Sequence, residues 1–354
     1  MAEETMTIKD KLLNKKSTFI FYSPEDKGNH LASTYEIFYH AWVLKQNGFD
    51  TKVWFDNSYD NNRELPTWFE DNLLDVEIIK TEEKGKLKAS VADFLILQDN
   101  SAPIIEQLKN VNINKVIWIN SLDKFLTSLN PGMDYYSFYG IKDFMVTSSY
   151  MSDVLKSHYH SYPITTYETT PSIPNYFKTT ESNSLNVSVF SKNSTYTRAF
   201  VNSFMQKNPY YKFIVFDNIS NLDKRVMADK ISKSICTIFL DDYASYPLTP
   251  MEVLACEKVC LVKKGHHDLE SIIQSKNIYS SDDIFDGDTS LVRILSQLVN
   301  SHLEDYKMFI KDNTEEELIN KHIQSDNTQQ KIVNMYYQMI EDKIKEFNLT
   351  KEEK

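Results

Sequence analysis

Thr249, Pro250 and Glu252 stand at the spacing of a helix start within the stretch Asp241–Val262, DDYASYPLTPMEVLACEKVCLV. Thr249 reads as the cap, Pro250 as a first-turn residue whose missing N–H costs nothing, and Glu252 as the capping-box glutamate. A helix N-terminus presents free N–H groups and partial positive charge, which suits a departing phosphate. A carboxylate one turn further in can accept hydrogen bonds from hydroxyl groups; the alternative is that Glu252 only completes the cap. Two cations, Lys192 and Arg198, sit in the polar run SKNSTYTRAF, and the planar fork of arginine suits phosphate oxygens. The alternative for Arg198 is a helix-start residue on a solvated face. Gly28, Asn29 and His30 form a polar turn, and Gly265-His266-His267 a second loop. Adjacent histidines without a third ligand make a poor metal site, and Asp286-Gly287-Asp288 reads as an acidic turn.

Such residues must be carried on loops at the ends of strands. Ser17–Ser23 reads as a first strand running into Pro24–His30. From Ser33 to Gln46 the residues Tyr35, Phe38, Trp42 and Leu44 recur at near-helical spacing, Asn47-Gly48 stops the helix, and Thr51–Phe55 is a second strand. Strand, glycine-containing loop, helix, strand opens a doubly wound α/β domain. Phe94–Leu97, Lys115–Asn120 and Asp143–Ser148 read as buried strands, and Ser149–Ser157 as a helix capped by Ser148 or Ser149. The prolines of Pro171–Phe177 mark a boundary. Beyond it Asn186–Phe190, Lys212–Phe216, Ser234–Leu240 and Val259–Val262 read as strands and Leu222–Lys233 as a helix. Glu304–Leu349 is helical, with Met335, Tyr336, Met339, Ile340, Ile344 and Phe347 on one side.

At 354 residues the chain exceeds one ordinary core and suits two domains. Its 41% apolar and 25% charged residues argue against long disorder. A net charge of −11 removes any global attraction to nucleic acid or anionic membranes, so such a partner needs a local patch. Lys84, Lys86 and Lys88 with the aromatic group Tyr135, Tyr136, Phe138 and Tyr139 are the candidate; a solvated loop and a packed corner are the alternative. Cys236, Cys256 and Cys260 lie in buried elements without CxxC spacing, which points to a reducing cytoplasm rather than disulfides or zinc. The charged N-terminus and the lack of a long apolar run lead to the expectation of no signal peptide and no stable membrane insertion.

Tyr246–Glu252, Leu254-Ala255-Cys256 and the strand after them resemble the donor-site motif E-x-x-P-L-x-P-x-E-A-x-A-C-G-x-P-V-V of the large retaining, nucleotide-sugar-dependent GT-B glycosyltransferases. Ala244 replaces the first Glu of that pattern and Glu257 its Gly. Ser191–Phe200 resembles the family's G-R-x-x-x-x-K-G, with one extra residue between the cations and Ser191 for Gly, and Ile173-Pro174-Asn175 with Phe177 resembles its interdomain segment. Asp143–Leu155 resembles its last amino-domain strand, which enters a helix through a serine.

The resemblance implies an α/β GT-B fold of two doubly wound Rossmann-like domains facing a cleft: 1–173 for the acceptor, 174–325 for the donor, and a helix over 326–354 crossing back to the first. It implies transfer of a sugar from a nucleotide diphosphate to an acceptor hydroxyl with retained configuration, without metal or cofactor. Lys192 and Arg198 would neutralise the diphosphate and Glu252 orient the donor, with Gly28, Pro247, Leu248, Thr249 and Gly265 on the donor side and Asn29, His30 and Asn120 on the acceptor side. The acceptor stays open between a saccharide and a hydroxylated base of phage DNA, because the Thr- and aromatic-rich loop before Arg198 also resembles that of phage DNA glucosyltransferases. The location implied is cytoplasmic, the host's cytoplasm if the chain is viral. The two departures motivate an alternative, a degenerate non-catalytic binding or scaffold subunit.

Overall fold

The computed structural model describes residues 17–23, 32–55, 69, 73, 75–80, 89–99, 101–122, 125–126, 135–180, 184–220, 222–240, 248–263, 277–309 and 325–352. The chain divides into two compact units, one of Met1–Ser172 with Ser325–Lys354 and one of Ile173–Gln324.

The first unit holds a seven-stranded parallel sheet in the order β3-β2-β1-β4-β5-β6-β7. Its strands are β1 (Thr18–Ser23), β2 (Asp50–Phe55), β3 (Glu77–Lys80), β4 (Phe94–Gln98), β5 (Asn114–Trp118), β6 (Asp143–Val146) and β7 (Thr165–Glu168). Central strands covered on both faces read as unbroken apolar runs, as FLIL in β4 does. The edge strands β3 and β7, EIIK and TTYE, carry no such run, and sequence reasoning missed them. Among the described residues the intervening helices are α1 (Ala32–Gln46), α2 (Ala102–Gln107), α3 (Tyr135–Phe138) and α4 (Ser149–His158). Helix α1 stops where Asn47-Gly48 foretold: Phe49 N–H donates to Leu44 O at 3.1 Å, Gly48 N–H to Lys45 O at 3.0 Å, and Gly48 adopts φ +83°. Ser148 caps α4, its Oγ accepting from Met151 N–H at 3.2 Å.

In the second unit β8 (Asn186–Phe190), α5 (Ser194–Lys207), β9 (Val215–Asn218), α6 (Lys224–Lys233), β10 (Ser234–Phe239), α7 (Leu248–Ala255), β11 (Val259–Lys263), β12 (Ile278–Ser281) and α8 (Leu291–Phe309) follow one another. The five strands are parallel in the order β12-β11-β10-β8-β9. Alternate residues face opposite sides. Val187, Val189, Cys236, Ile238, Val259 and Leu261 pack with Phe200 and Phe204 of α5 and the apolar stripe of α8. Phe239, Cys260 and Val262 pack with Met227 and Ile231 of α6 and Val253 and Leu254 of α7. The strand expected at Lys212–Phe216 starts three residues later and runs over Val215–Asn218, because Ile214 N–H turns back to Tyr211 O at 3.0 Å and pairing with β8 starts at Val215.

The helical pattern expected over Glu304–Leu349 falls on the end of α8 and on α9 (Ser325–Glu352), and residues 310–324 lie outside the described set. The apolar stripes of α8 and α9 have different destinations. Leu291, Leu295 and Val299 enter the second unit's core, whereas Ile332, Val333, Tyr336, Met339 and Ile340 enter the first unit's core with Phe19, Phe21 and Phe38. Tyr336 meets the Phe19 ring edge-on at 5.0 Å, and its hydroxyl lies 3.1 Å from His40 Nδ1. His40 Nε2 lies 3.3 Å from Thr169 Oγ1, and the Glu36 carboxylate accepts from Ser172 N–H at 2.9 Å. Burial pulls the His40 pKa down to about 3, so this imidazole is neutral.

Candidate functional site

The chain leaves β8 for β9 on one side, then crosses to β10 on the other, so the strand order reverses between the carboxyl ends of β8 and β10. In open parallel sheets that reversal is where loops part and ligands enter. The loop after β8 is tied to the loop after β9: Ser191 N–H donates to Ser220 Oγ at 2.8 Å, and Ser220 Oγ–H donates to Ser191 O at 2.8 Å. Asn193 caps α5, its Oδ1 accepting from Thr195 and Tyr196 N–H at 3.1 Å. Lys192 and Arg198 are both exposed around this helix start, and Arg198 Nε–H donates to Ser194 O at 3.4 Å within its own helix.

Helix α7 follows β10 and carries Glu252, only 1% exposed. Its Oε1 lies 2.5 Å from Lys224 Nζ, across the contact between α6 and α7. Its Oε2 is buried with no hydrogen-bond partner among the described residues. Burial raises the Glu252 pKa above the usual carboxylate range, and Lys224 opposes that rise by charge and hydrogen bond. Lys224 Nζ also stands 5.7 Å from the centroid of the Phe177 ring, and the Arg225 guanidinium 5.1 Å from that of Tyr176. The Pro174–Phe177 segment is thus held against the start of α6 by two cations.

The capping-box expectation is corrected. Helix α7 already begins at Leu248, which puts Thr249 and Pro250 inside its first turn, where proline is tolerated. Among the described residues Glu252 takes no backbone N–H and pairs instead with Lys224. Any cap precedes Leu248 and lies outside the described residues. At the other end Glu257 adopts φ 53°, with Glu257 N–H donating to Leu254 O at 2.8 Å and Lys258 N–H to Val253 O at 3.2 Å. The helix therefore keeps the left-handed stop that glycine usually supplies, with a glutamate in it.

Among the residues singled out from the sequence, the structure therefore joins none of the cations expected at the diphosphate to Glu252; its partner Lys224 was missed. No motif links positions 224 and 252, and packing of α6 and α7 on one sheet face is what brings them together. Leu248 and Thr249 are half-buried at the start of α7. Asn120 lies in the first unit just after β5, its backbone N–H donating to Asp99 Oδ2 at 3.0 Å. Gly28, Asn29, His30, Ala244, Pro247, Gly265 and the Lys84, Lys86 and Lys88 cluster lie outside the described residues.

Other chemistry is narrowed. Burial pushes the Cys236 and Cys256 thiols up to about 12, and Cys260 is also raised, so none is a ready nucleophile. Asp286 pairs with Lys207 at 2.7 Å and Asp288 pairs with Arg293, on either side of Gly287 at φ +89°. Among the described residues no cluster of three His, Cys, Asp or Glu could hold a metal ion, and no helix is long and apolar enough to cross a membrane.

No protein-family profile matches the chain, and no curated protein matches it in sequence. Solved structures do match its fold. Sucrose-phosphate synthase from Thermosynechococcus elongatus is similar with a TM-score of 0.58 at 10% identity, over 92% of this chain and 100% of that one. The pneumococcal O-GlcNAc transferase in complex with UDP and GlcNAc is similar with a TM-score of 0.54 at 8% identity, over 92% and 99%. An alpha-glucosyltransferase in complex with UDP is similar with a TM-score of 0.53 at 13% identity, over 92% and 99%. The fold, with its parallel sheets of seven and five strands, is the GT-B fold of glycosyltransferases.

Proposed function

We propose that this protein is a nucleotide-sugar-dependent glycosyltransferase that holds its donor on the unit of residues 173–324 and transfers the sugar to an acceptor hydroxyl with retained configuration. The observation that carries the reading is Glu252: a buried carboxylate in the helix beside the strand-order reversal, one oxygen on Lys224 and the other without a partner among the described residues. Leaving a buried acceptor unmade is costly, and a hydroxyl of a bound donor would complete it. The exposed Lys192 and Arg198 are placed on the loop and first turns after β8, where they can meet a diphosphate whose charge grows as the sugar leaves. The N-terminal end of α7 adds its dipole in the same sense. In this front-face reading the departing phosphate oxygen takes the acceptor proton, so no separate base and no metal is assigned.

Two structural neighbours were solved with UDP, which makes UDP and its sugar conjugates the first donors to test. A saccharide hydroxyl is the acceptor favoured by the net charge of −11, which repels a DNA backbone. The test is a thermal-shift screen against nucleoside diphosphates and their sugars. A ligand at about 100 times its dissociation constant stabilises by about 2.7 kcal/mol. Selective stabilisation followed by label transfer to a glycan supports the reading. Transfer to hydroxylated DNA that falls steeply with salt would move the acceptor to nucleic acid. No stabilisation by any nucleotide would favour the non-catalytic subunit.

A further inference from the structure

We propose that Lys224 is a positioning residue of the donor site, holding the Glu252 side chain so that one oxygen is occupied and the other is left for a donor hydroxyl. The proposal rests on the reading of residues 173–324 as the donor unit. Three observations carry it. Lys224 Nζ lies 2.5 Å from Glu252 Oε1, and both side chains are largely withdrawn from water, at 15% and 1% exposure. The pair is set among the apolar Phe177, Met227, Val253 and Leu254, where a buried ion pair seldom outperforms an apolar one. It is also incomplete, because Glu252 Oε2 finds no partner among the described residues.

The choice of cation matters to the geometry. An ammonium is a compact point donor that can satisfy one carboxylate oxygen, whereas a guanidinium fork tends to close both. Lys224 is itself braced by the face of Phe177, so the ammonium is held from two sides. Among the described residues the groups facing Glu252 are few. From α6 comes Lys224, from its own helix the Cys256 thiol, and β11 turns Cys260 and Val262 toward α7. Both thiols are neutral, because burial raises them. Lys224 is therefore the charge that opposes the burial of Glu252. Without it the carboxyl would take up a proton at higher pH and cease to be a charged acceptor.

The test uses the full chain and whichever of UDP, ADP and GDP binds the wild type, with affinity measured by calorimetry from pH 6 to 8.5. The wild-type profile serves as reference for titration of the nucleotide itself. Lys224→Gln is expected to bind about tenfold or more weakly at neutral pH, with the loss deepening toward pH 6 and shrinking toward pH 8.5. Glu252→Gln, which leaves no buried carboxylate to ionise, is expected to bind about tenfold or more weakly with no such added pH dependence; it also decides the matter if Lys224→Gln does not fold. A Lys224→Gln profile that overlays the wild type, or wild-type affinity in Glu252→Gln, would overturn the proposal while leaving the donor reading in place. Failure of all three nucleotides to bind the wild type would overturn both.

Discussion

Ser188 on β8 and Thr237 on β10 are register partners in the middle of the second unit's sheet, and both hydroxyls are buried with no hydrogen-bond partner among the described residues. Side by side on two strands, they put polar atoms between the apolar Val187 and Val189 and between Cys236 and Ile238, with Asp217 of β9 as the other register partner of Ser188. Removing both hydroxyls removes a desolvation cost without stranding a partner. The double variant Ser188→Ala, Thr237→Val is expected to be more stable by about 1 kcal/mol in urea unfolding. A clear loss of stability would mean that the hydroxyls are bonded to ordered water.

Glu257 ends α7 in a left-handed conformation, φ 53°, that a β-carbon disfavours. Glu257→Gly relieves that strain while keeping both terminal hydrogen bonds. The expected gain is about 0.5–1 kcal/mol, after the extra chain entropy of glycine is subtracted. Thermal unfolding at pH 7 checks it, and an unchanged or lower midpoint contradicts it.

His40 gives the first unit an acid sensitivity. Its pKa is lowered by burial from 6.5 to about 3, so the folded state binds fewer protons than the unfolded state between those values. Stability is therefore unaffected by this group above about 6.5 and falls as the pH drops toward 3, by up to about 1.4 kcal/mol per pH unit. His40→Gln should flatten that part of the curve in urea unfolding between pH 7 and 4. An identical slope in the variant would rule His40 out as its source.

The C-terminal helix α9 is pinned to β6 by Lys343, whose ammonium lies 2.8 Å from Asp143 Oδ2 with both side chains below 10% exposure. Burial alone would lower the lysine pKa, but Asp143 and Glu346 outweigh it and raise the value above 10.5. The stabilisation is thus fully present at neutral pH and is lost only as the pH rises through the alkaline range above that value. Lys343→Met strands a buried carboxylate and should cost about 3 kcal/mol at pH 7, most of it recovered when Asp143→Asn is added. Chemical unfolding of the single and double variants measures this coupling, which a simple sum of two losses would refute.

Lys192 and Arg198 are exposed, and the one hydrogen bond described for the Arg198 guanidinium is to its own helix. Alanine at either position should leave the melting temperature nearly unchanged. Under the proposed mechanism each should lower kcat/KM for the nucleotide sugar about ten- to a thousand-fold. Steady-state kinetics beside a melting curve separates the two effects, and full activity in both variants would remove these cations from the site.

Local patterning was enough for β1, α1 and β2, for β8, β10 and β11, for the Ser148 cap and for the Gly48 stop, because strand burial and helix ends leave their mark within a few neighbouring residues. It also sufficed to single out Glu252. It failed where the outcome depends on partners distant in sequence. The edge strands β3 and β7 are strands because β2 and β6 offer them an edge, and β9 starts at Val215 because β8 begins its pairing there. That the apolar stripe of α8 enters the second unit's core and that of α9 the first unit's is likewise set by packing and not by the pattern itself. The local use of a glutamate at position 252 is a cap or a ligand contact; the pairing of Glu252 with Lys224, 28 residues earlier, arises when α6 and α7 pack on the same face of one sheet. Sequence spacing carries the information for elements, and long-range packing carries the information for which charge meets which.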